Sequence, residues 1–225
     1  MADNYYAQKL NSQKLHQVYQ TDIDRVKQYF AAEIDFVRQG LRGDEKLLEV
    51  GAGYGRILKE LAPSAAELVG IDISVDSVEL GKEYLREYPH CRMLAMDAHD
   101  LQFGAEFDVV LCLQNGLSAM KGKADNIVAQ CMKVLAVGGK AYFSTYSPNF
   151  WEHRLAWFHE QANKGLLGEI DVKETRDGII KCKDGFTAIT FTASELEELA
   201  QKSGYDYFVT EIDESSIFLV ITKDK

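Results

Sequence analysis

The chain has 225 residues, 46% hydrophobic and 27% charged, and its 25 Lys and Arg against 35 Asp and Glu give a formal net charge of −10. That acidity, with no run of four basic residues, excludes a general polyanion binder, which needs clustered cations on phosphates. No apolar run approaches the roughly 18 residues that span a bilayer, and the polar start Met1-Ala-Asp-Asn4 lacks a signal-peptide core.

Residues 5–42 read as helical. Ile23, Val26, Phe30, Ile34 and Val37 recur at three- and four-residue spacing, and Gly40 stops the pattern. Ahead of them Tyr5, Tyr6, Leu10, Leu15, Val18 and Tyr19 suggest a shorter amphipathic piece. At Lys46 the pattern changes. A short apolar run (Leu47, Leu48, Val50) leads into Gly51, Gly53 and Gly55, and a helical pattern follows through Ile57, Leu58 and Leu61. This is a buried strand, a turn whose backbone can approach a ligand closely, and a helix N-terminus. The next strand, residues 67–72, ends in Asp72, 21 residues after Gly51, where a carboxylate can accept from ribose hydroxyls. A dinucleotide fingerprint would need a third glycine at position 56, and Arg56 stands there. Glu49, two residues before the first glycine, would repel a pyrophosphate and suits a sulfonium or ammonium group.

Strands then alternate with helices: strands 46–50, 67–72, 91–96, 106–112 and 138–146, helices near 55–62, 75–88 and 123–136, with Ser74 as an N-cap. Such alternation means parallel strands joined by helical crossovers, a doubly wound sheet. The fourth strand delivers Gln114 and Asn115 to the carboxyl edge, where open α/β folds bind ligands; Asn115-Gly116 reads equally well as a turn. Residues 147–190 form a long interruption. It carries the aromatic stretch 150–158 and a hairpin signal at 178–183, flanked by Asp-Gly pairs at 177–178 and 184–185. Thr192-Ala-Ser-Glu195 has capping-box spacing before a helix that Gly204 ends. Two strands, 205–212 and 216–222, are joined by a link too short for a parallel crossover and must be antiparallel.

The E-x-G-x-G-x-G order at Glu49, Gly51, Gly53 and Gly55, with Asp72 downstream and the antiparallel ending, resembles the class I S-adenosylmethionine-dependent methyltransferases over residues 44–146 and 192–222. The resemblance implies a Rossmann-like, doubly wound α/β fold of seven strands, mostly parallel, closed by an antiparallel C-terminal hairpin strand. It implies one domain, residues 1–225, with a helical cap (1–42), a cofactor-binding core (44–146), a lid-like insertion (147–190) and a C-terminal helix and hairpin (191–225). The cofactor would be S-adenosylmethionine, leaving as S-adenosylhomocysteine. Glu49, Gly51, Ala52, Gly53 and Gly55 would approach its methionine portion. Arg56 would pair with its carboxylate, or else stand exposed at a helix start. Asp72, with Ile73 beside it, would hold the ribose; Asp97 would accept from the adenine amino group while the Ala98 N–H meets the ring; Gln114 and Asn115 would lie near the transferred methyl or the ribose.

Methyl transfer from a sulfonium is an in-line displacement in which alignment alone can contribute about 7–11 kcal/mol. A base is needed only for a nucleophile that arrives protonated with a high pKa. No dyad stands out, and no HxH, HExxH or CxxC spacing exists, so no metal is expected. Acceptor contacts are expected from Tyr5, Tyr6 and Tyr19 in the cap, from Tyr146 at the fifth strand's end, and from Trp151, His153, Arg154, Trp157 and His159 in the insertion. Tyr146 and His153 are the catalytic candidates. A closed aromatic lid favours a small acceptor methylated on N, O or S, with no nucleic-acid or membrane partner; an RNA or protein methyltransferase and a non-catalytic cofactor-binding protein are the alternatives. The dispersed cysteines Cys91, Cys112, Cys131 and Cys182 read as reduced thiols of a cytoplasmic protein.

Overall fold

The computed structural model describes Leu10 and residues 12–224. Two helices come first, α1 (Ser12–Val18) and α2 (Asp24–Gln39). Strands and helices then alternate: β1 (Lys46–Val50), α3 (Arg56–Leu61), β2 (Glu67–Asp72), α4 (Val75–Tyr84), β3 (Cys91–Ala95), β4 (Phe107–Cys112), the short α5 (Gly116–Ala119), α6 (Ala124–Val134) and β5 (Leu135–Tyr146). The insertion contributes α7 (Trp151–Asn163) and a small hairpin of β6 (Ile180–Lys181) with β7 (Thr187–Ala188). The chain continues with α8 (Ala193–Ser203), β8 (Asp206–Ile212) and β9 (Ser216–Thr222). Seven strands form one sheet in the order β3-β2-β1-β4-β5-β9-β8. The first five pair in parallel, and β9 runs antiparallel to both β5 and β8. The expected doubly wound sheet and its antiparallel closure are therefore present.

Both faces of the sheet are covered, which is why the inner strands read as continuous apolar runs instead of alternating. Successive residues still face opposite ways. Leu48 and Val50 of β1 join the core shared with Ile127 and Cys131 of α6 and Leu196 of α8. Leu47 joins Ile34 and Val37 of α2 and Leu58 and Leu61 of α3 on the other face. Local signals mark the element ends as anticipated: Ser74 accepts from Ser77 N at 3.2 Å, and Thr192 with Glu195 forms a complete capping box before α8. Most boundaries fall within two residues of those expected, but α4 ends at Tyr84, four residues before the expected 88, and the fifth strand starts three residues early. β5 begins at Leu135, because its pairing with β4 shifts register between Phe107 and Val109, and Gly138 absorbs the irregularity at φ +88°.

A third core lies apart from the two sheet faces. It brings Val18 of α1 and Val26, Tyr29 and Phe30 of α2 against Tyr146, Phe150, Trp157 and Phe158, and on to Ile180 and Phe186. The N-terminal helices and the insertion thus pack on each other beside the carboxyl end of β5. Both Asp-Gly pairs lie in turns. Asp177 and Gly178 are left-handed (φ +53° and +77°) and close the Arg176–Ile179 bridge, while Gly185 (φ +94°) lies in the β6–β7 connection. No helix among the described residues is long and apolar enough to cross a membrane.

Candidate functional site

The glycine turn after β1 folds back on β2: Gly51 N and Ala52 N both donate to the Ile71 carbonyl, at 2.9 and 2.8 Å. Gly53 has φ +56°, a backbone that side chains disfavour, and a Cβ there would meet Leu15 Cδ2 of α1 at 2.7 Å. Gly55 (φ +81°) starts α3, and its missing Cβ leaves room for Leu85. Asp72 braces this turn. Its Oδ2 accepts from Gly53 N at 2.9 Å and its Oδ1 from Ser74 N at 2.8 Å. Burial raises its pKa, and those N–H groups pull it back.

The turn forms one wall of a cavity with about 1230 Å³ of empty space, part of it open to solvent. Of the residues expected at the cofactor, Glu49, Gly51, Ala52, Gly53, Arg56, Asp72, Ile73, Asp97, Ala98 and Gln114 line it. Several present polar atoms with nothing to pair with. Glu49 is 4% exposed and its Oε2 has no partner. Burial pushes its pKa to about 8, against the pull of the Arg56 cation. Arg56 has no partner for Nε or Nη2, and its guanidinium lies over the rings of Tyr19 (4.5 Å) and Phe30 (5.0 Å). On the other side, Asp97 accepts from His99 N at 2.9 Å, which fixes the loop after β3. An unpaired carboxylate oxygen and an unpaired guanidinium edge beside a glycine cradle fit the ammonium and carboxylate of an amino-acid moiety.

Gln114 and Asn115 form a strained elbow after β4. Both are left-handed, φ +52° and +62°, a conformation that costs non-glycine residues about 1–3 kcal/mol and persists only when the surroundings hold it. Ser144 holds it, taking Gln114 N on Oγ at 2.8 Å and Asn115 N on its carbonyl at 3.0 Å. Gln114 faces the cavity with Nε2 unpartnered. Asn115 does not line the cavity. Its Nδ2 donates to the Ile189 carbonyl (2.7 Å) and its Oδ1 accepts from Thr145 Oγ1 (2.9 Å), so the side chain ties the elbow to the segment leaving the insertion.

On the acceptor side, Tyr19, Tyr146 and Trp157 line the cavity, whereas Trp151, His153, Arg154 and His159 do not. His153 is exposed beside Phe150. Arg154 is only 1% exposed, and it donates to the Gly178 and Ala188 carbonyls at 2.8 and 3.4 Å while its guanidinium covers Tyr146 at 4.4 Å. These two hydrogen bonds tie parts of the insertion together, and Trp151 packs on the same guanidinium. Tyr5 and Tyr6 lie outside the described residues.

Three groups were not foreseen. Leu10 and Leu15 close the cavity from the N-terminal side. Gln161, one turn after Trp157 and Phe158 on α7, lines it with Nε2 unpartnered. Glu33 is fully buried on α2, its Oε1 accepting from Ser216 Oγ at 2.9 Å while its Oε2, like the Tyr29 hydroxyl, has no partner. Burial lifts its pKa to about 7. Glu33 lies within the apolar stripe of Val26, Phe30 and Val37, and an acid at that spacing was the available signal. Among the described residues no group of three or more His, Cys, Asp or Glu could hold a metal ion.

A family model described as a methyltransferase domain matches residues 47–139. Among curated proteins the chain is 33% identical over 130 residues to the ubiquinone biosynthesis O-methyltransferase of Idiomarina loihiensis, covering 52% of each chain. It is 31% identical over 114 residues to that of an Azoarcus species, covering 49% of this chain and 48% of the relative. The chain thus spans about half the length of the curated relatives it matches. Among solved structures, a putative S-adenosyl-L-methionine-dependent methyltransferase of Methanococcus maripaludis superposes with a TM-score of 0.68 at 16% identity, covering 100% of this chain and 98% of that one. The N-methyltransferase NodS of Bradyrhizobium japonicum, in complex with S-adenosyl-L-homocysteine, gives 0.56 at 13% identity, covering 99% and 93%. At these identities the structural likeness speaks for the fold.

Proposed function

We propose that the chain is a class I S-adenosylmethionine-dependent methyltransferase, a reading supported by the methyltransferase-domain match over residues 47–139 and by the curated relatives, and that it transfers the methyl group of S-adenosylmethionine to a nucleophile on a small molecule. The observation that carries this reading is a cavity in which the Asp72-braced glycine turn stands beside the unpaired Glu49 oxygen and Arg56 nitrogens. Glu49, Arg56 and the turn backbone would hold the methionine end, Asp72 the ribose, and Asp97 with Ala98 the adenine. The bound cofactor supplies a methyl on a positively charged sulfur, a strong leaving group.

The chain's own contribution is alignment and exclusion of water. Leu10 and Leu15 close one side of the cavity, and Tyr146, Trp157 and Phe158 close another. The elbow at Gln114 is held by Ser144, and there it would help keep the reacting groups in register. The enclosing aromatics and the net charge of −10 favour a small acceptor over nucleic acid, and the four unpaired cysteines fit a cytoplasmic protein. The curated relatives, both ubiquinone biosynthesis O-methyltransferases, favour oxygen as the nucleophile.

Calorimetry tests the cofactor, and a panel of small acceptors followed by S-adenosylhomocysteine release tests the transfer. Saturable binding of S-adenosylhomocysteine with none of NAD is expected; tighter binding of the dinucleotide would overturn the reading.

A further inference from the structure

Gln161 is out of place in packing terms. Its side chain is 3% exposed, it stands on α7 one turn beyond Trp157 and Phe158, and all three line the cavity. Its Nε2 has no hydrogen-bond partner. Leaving a buried amide unpaired costs about 1–3 kcal/mol, and a leucine would fill the same position without that cost. Among the described residues nothing pairs with this amide, which faces the cavity.

The neighbouring groups indicate its nature. On the reading above, the charged cavity groups Glu49 and Arg56 serve the cofactor's methionine end. Asp72 and Asp97 serve its ribose and adenine on the same reading, and the polar side chains that then remain are neutral: the Gln161 and Gln114 carboxamides and the hydroxyls of Ser77, Tyr19, Tyr54 and Tyr146, set among aromatic walls. Neither Glu33, whose Oε1 accepts from Ser216, nor Arg154, which donates to the Gly178 and Ala188 carbonyls, lines the cavity. Neutral dipoles between rings suit a flat, uncharged group with an oxygen to pair; a buried ammonium would need a counterion.

We propose that Gln161 is the residue that sets acceptor specificity, and that the acceptor is a small uncharged aromatic presenting a hydroxyl or carbonyl oxygen to its amide. The proposal rests on the methyltransferase reading. It places the choice of acceptor on α7, within the insertion, and not on the cofactor-binding core.

The test uses the full chain saturated with S-adenosylhomocysteine and titrated separately with catechol and benzylamine. The fluorescence of Trp157 is followed in a Trp151→Phe background, since Trp151 does not line the cavity. Catechol should quench saturably and benzylamine should not. Gln161→Leu should weaken catechol at least tenfold while S-adenosylhomocysteine affinity stays within twofold. Gln161→Glu, which keeps the volume and adds a charge, should reverse the preference towards benzylamine, and it decides the matter should the leucine variant fail to fold. Three results overturn the proposal: no saturable quenching at millimolar catechol, equal binding of the two probes, or substitutions that leave the probe preference unchanged. If the unsubstituted chain does not bind S-adenosylhomocysteine, the cofactor reading falls and this one with it; if it binds normally and only the probe results fail, the cofactor reading stands alone.

Discussion

Asp72 serves two structures with one carboxylate. It braces the glycine turn through Gly53 and orders the start of α4 through Ser74, and it also faces the cavity. Asp72→Ala should therefore weaken S-adenosylhomocysteine binding by about 1–3 kcal/mol, and it should also lower the melting temperature, because two N–H groups lose their acceptor. Calorimetry and a thermal melt on the same preparation check both; full stability with weakened binding would restrict the residue to the ligand. Glu33 makes a prediction of a different sign. Its pKa rises from 4.5 to about 7, so the folded chain holds this proton more tightly than the unfolded one. Its contribution is fully present below about pH 4.5 and is lost as pH rises through about 7, on the order of 3 kcal/mol at 1.36 kcal/mol per pH unit. Glu33→Gln keeps an oxygen for Ser216 and removes the titration. The variant should match the parent near pH 4 and exceed it in denaturant stability at pH 8. A variant less stable at pH 8 would mean that the neighbours hold the charged form.

At the scale of elements, the elbow after β4 links core and insertion. Asn115 binds the Ile189 carbonyl, 74 residues away, and also Thr145. Asn115→Ala should cost about 1–3 kcal/mol of stability and speed amide exchange around residues 186–191, with cofactor affinity within tenfold. Unchanged exchange there would show that the tie is dispensable. The residue also shows where sequence reading stops. Asn-Gly after a strand looks the same whether its side chain meets a ligand or another loop, and the partner that decides lies far along the chain. Signals confined to a few residues were legible: the E-x-G-x-G-x-G turn, the Thr192 box, both Asp-Gly turns. Gln161 and Glu33 were not read, since a polar residue in an apolar stripe gains meaning only when what it faces is known. Arg154 looked like an acceptor contact for the same reason, until the carbonyls of Gly178 and Ala188 closed around it.

For the whole molecule, the alternation from Lys46 to Tyr146 and the short link before β9 carried enough information for the sheet, because crossovers and hairpins constrain strand direction locally. The common core of the N-terminal helices and the insertion was harder to see, as it joins Phe30 to Trp157 across the length of the chain. If the cavity takes the cofactor, binding must stabilise the folded state. S-adenosylhomocysteine at one hundred times its dissociation constant should contribute about 2.7 kcal/mol, a melting shift of roughly 5–10 °C for a chain of this size. The same concentration of NAD should give none, and equal shifts would count against a selective site. The sheet order has a further consequence, for synthesis on the ribosome. β5 pairs with β9 along seven residues, from Lys140 opposite Thr222 to Tyr146 opposite Ser216, and about 70 residues separate the two strands. At roughly 5–20 residues per second, the hydrogen-bonding edge of β5 stays unpaired for roughly 3–14 s after it is made. During that interval the nascent chain presents an apolar strand that only its own later segment can cover.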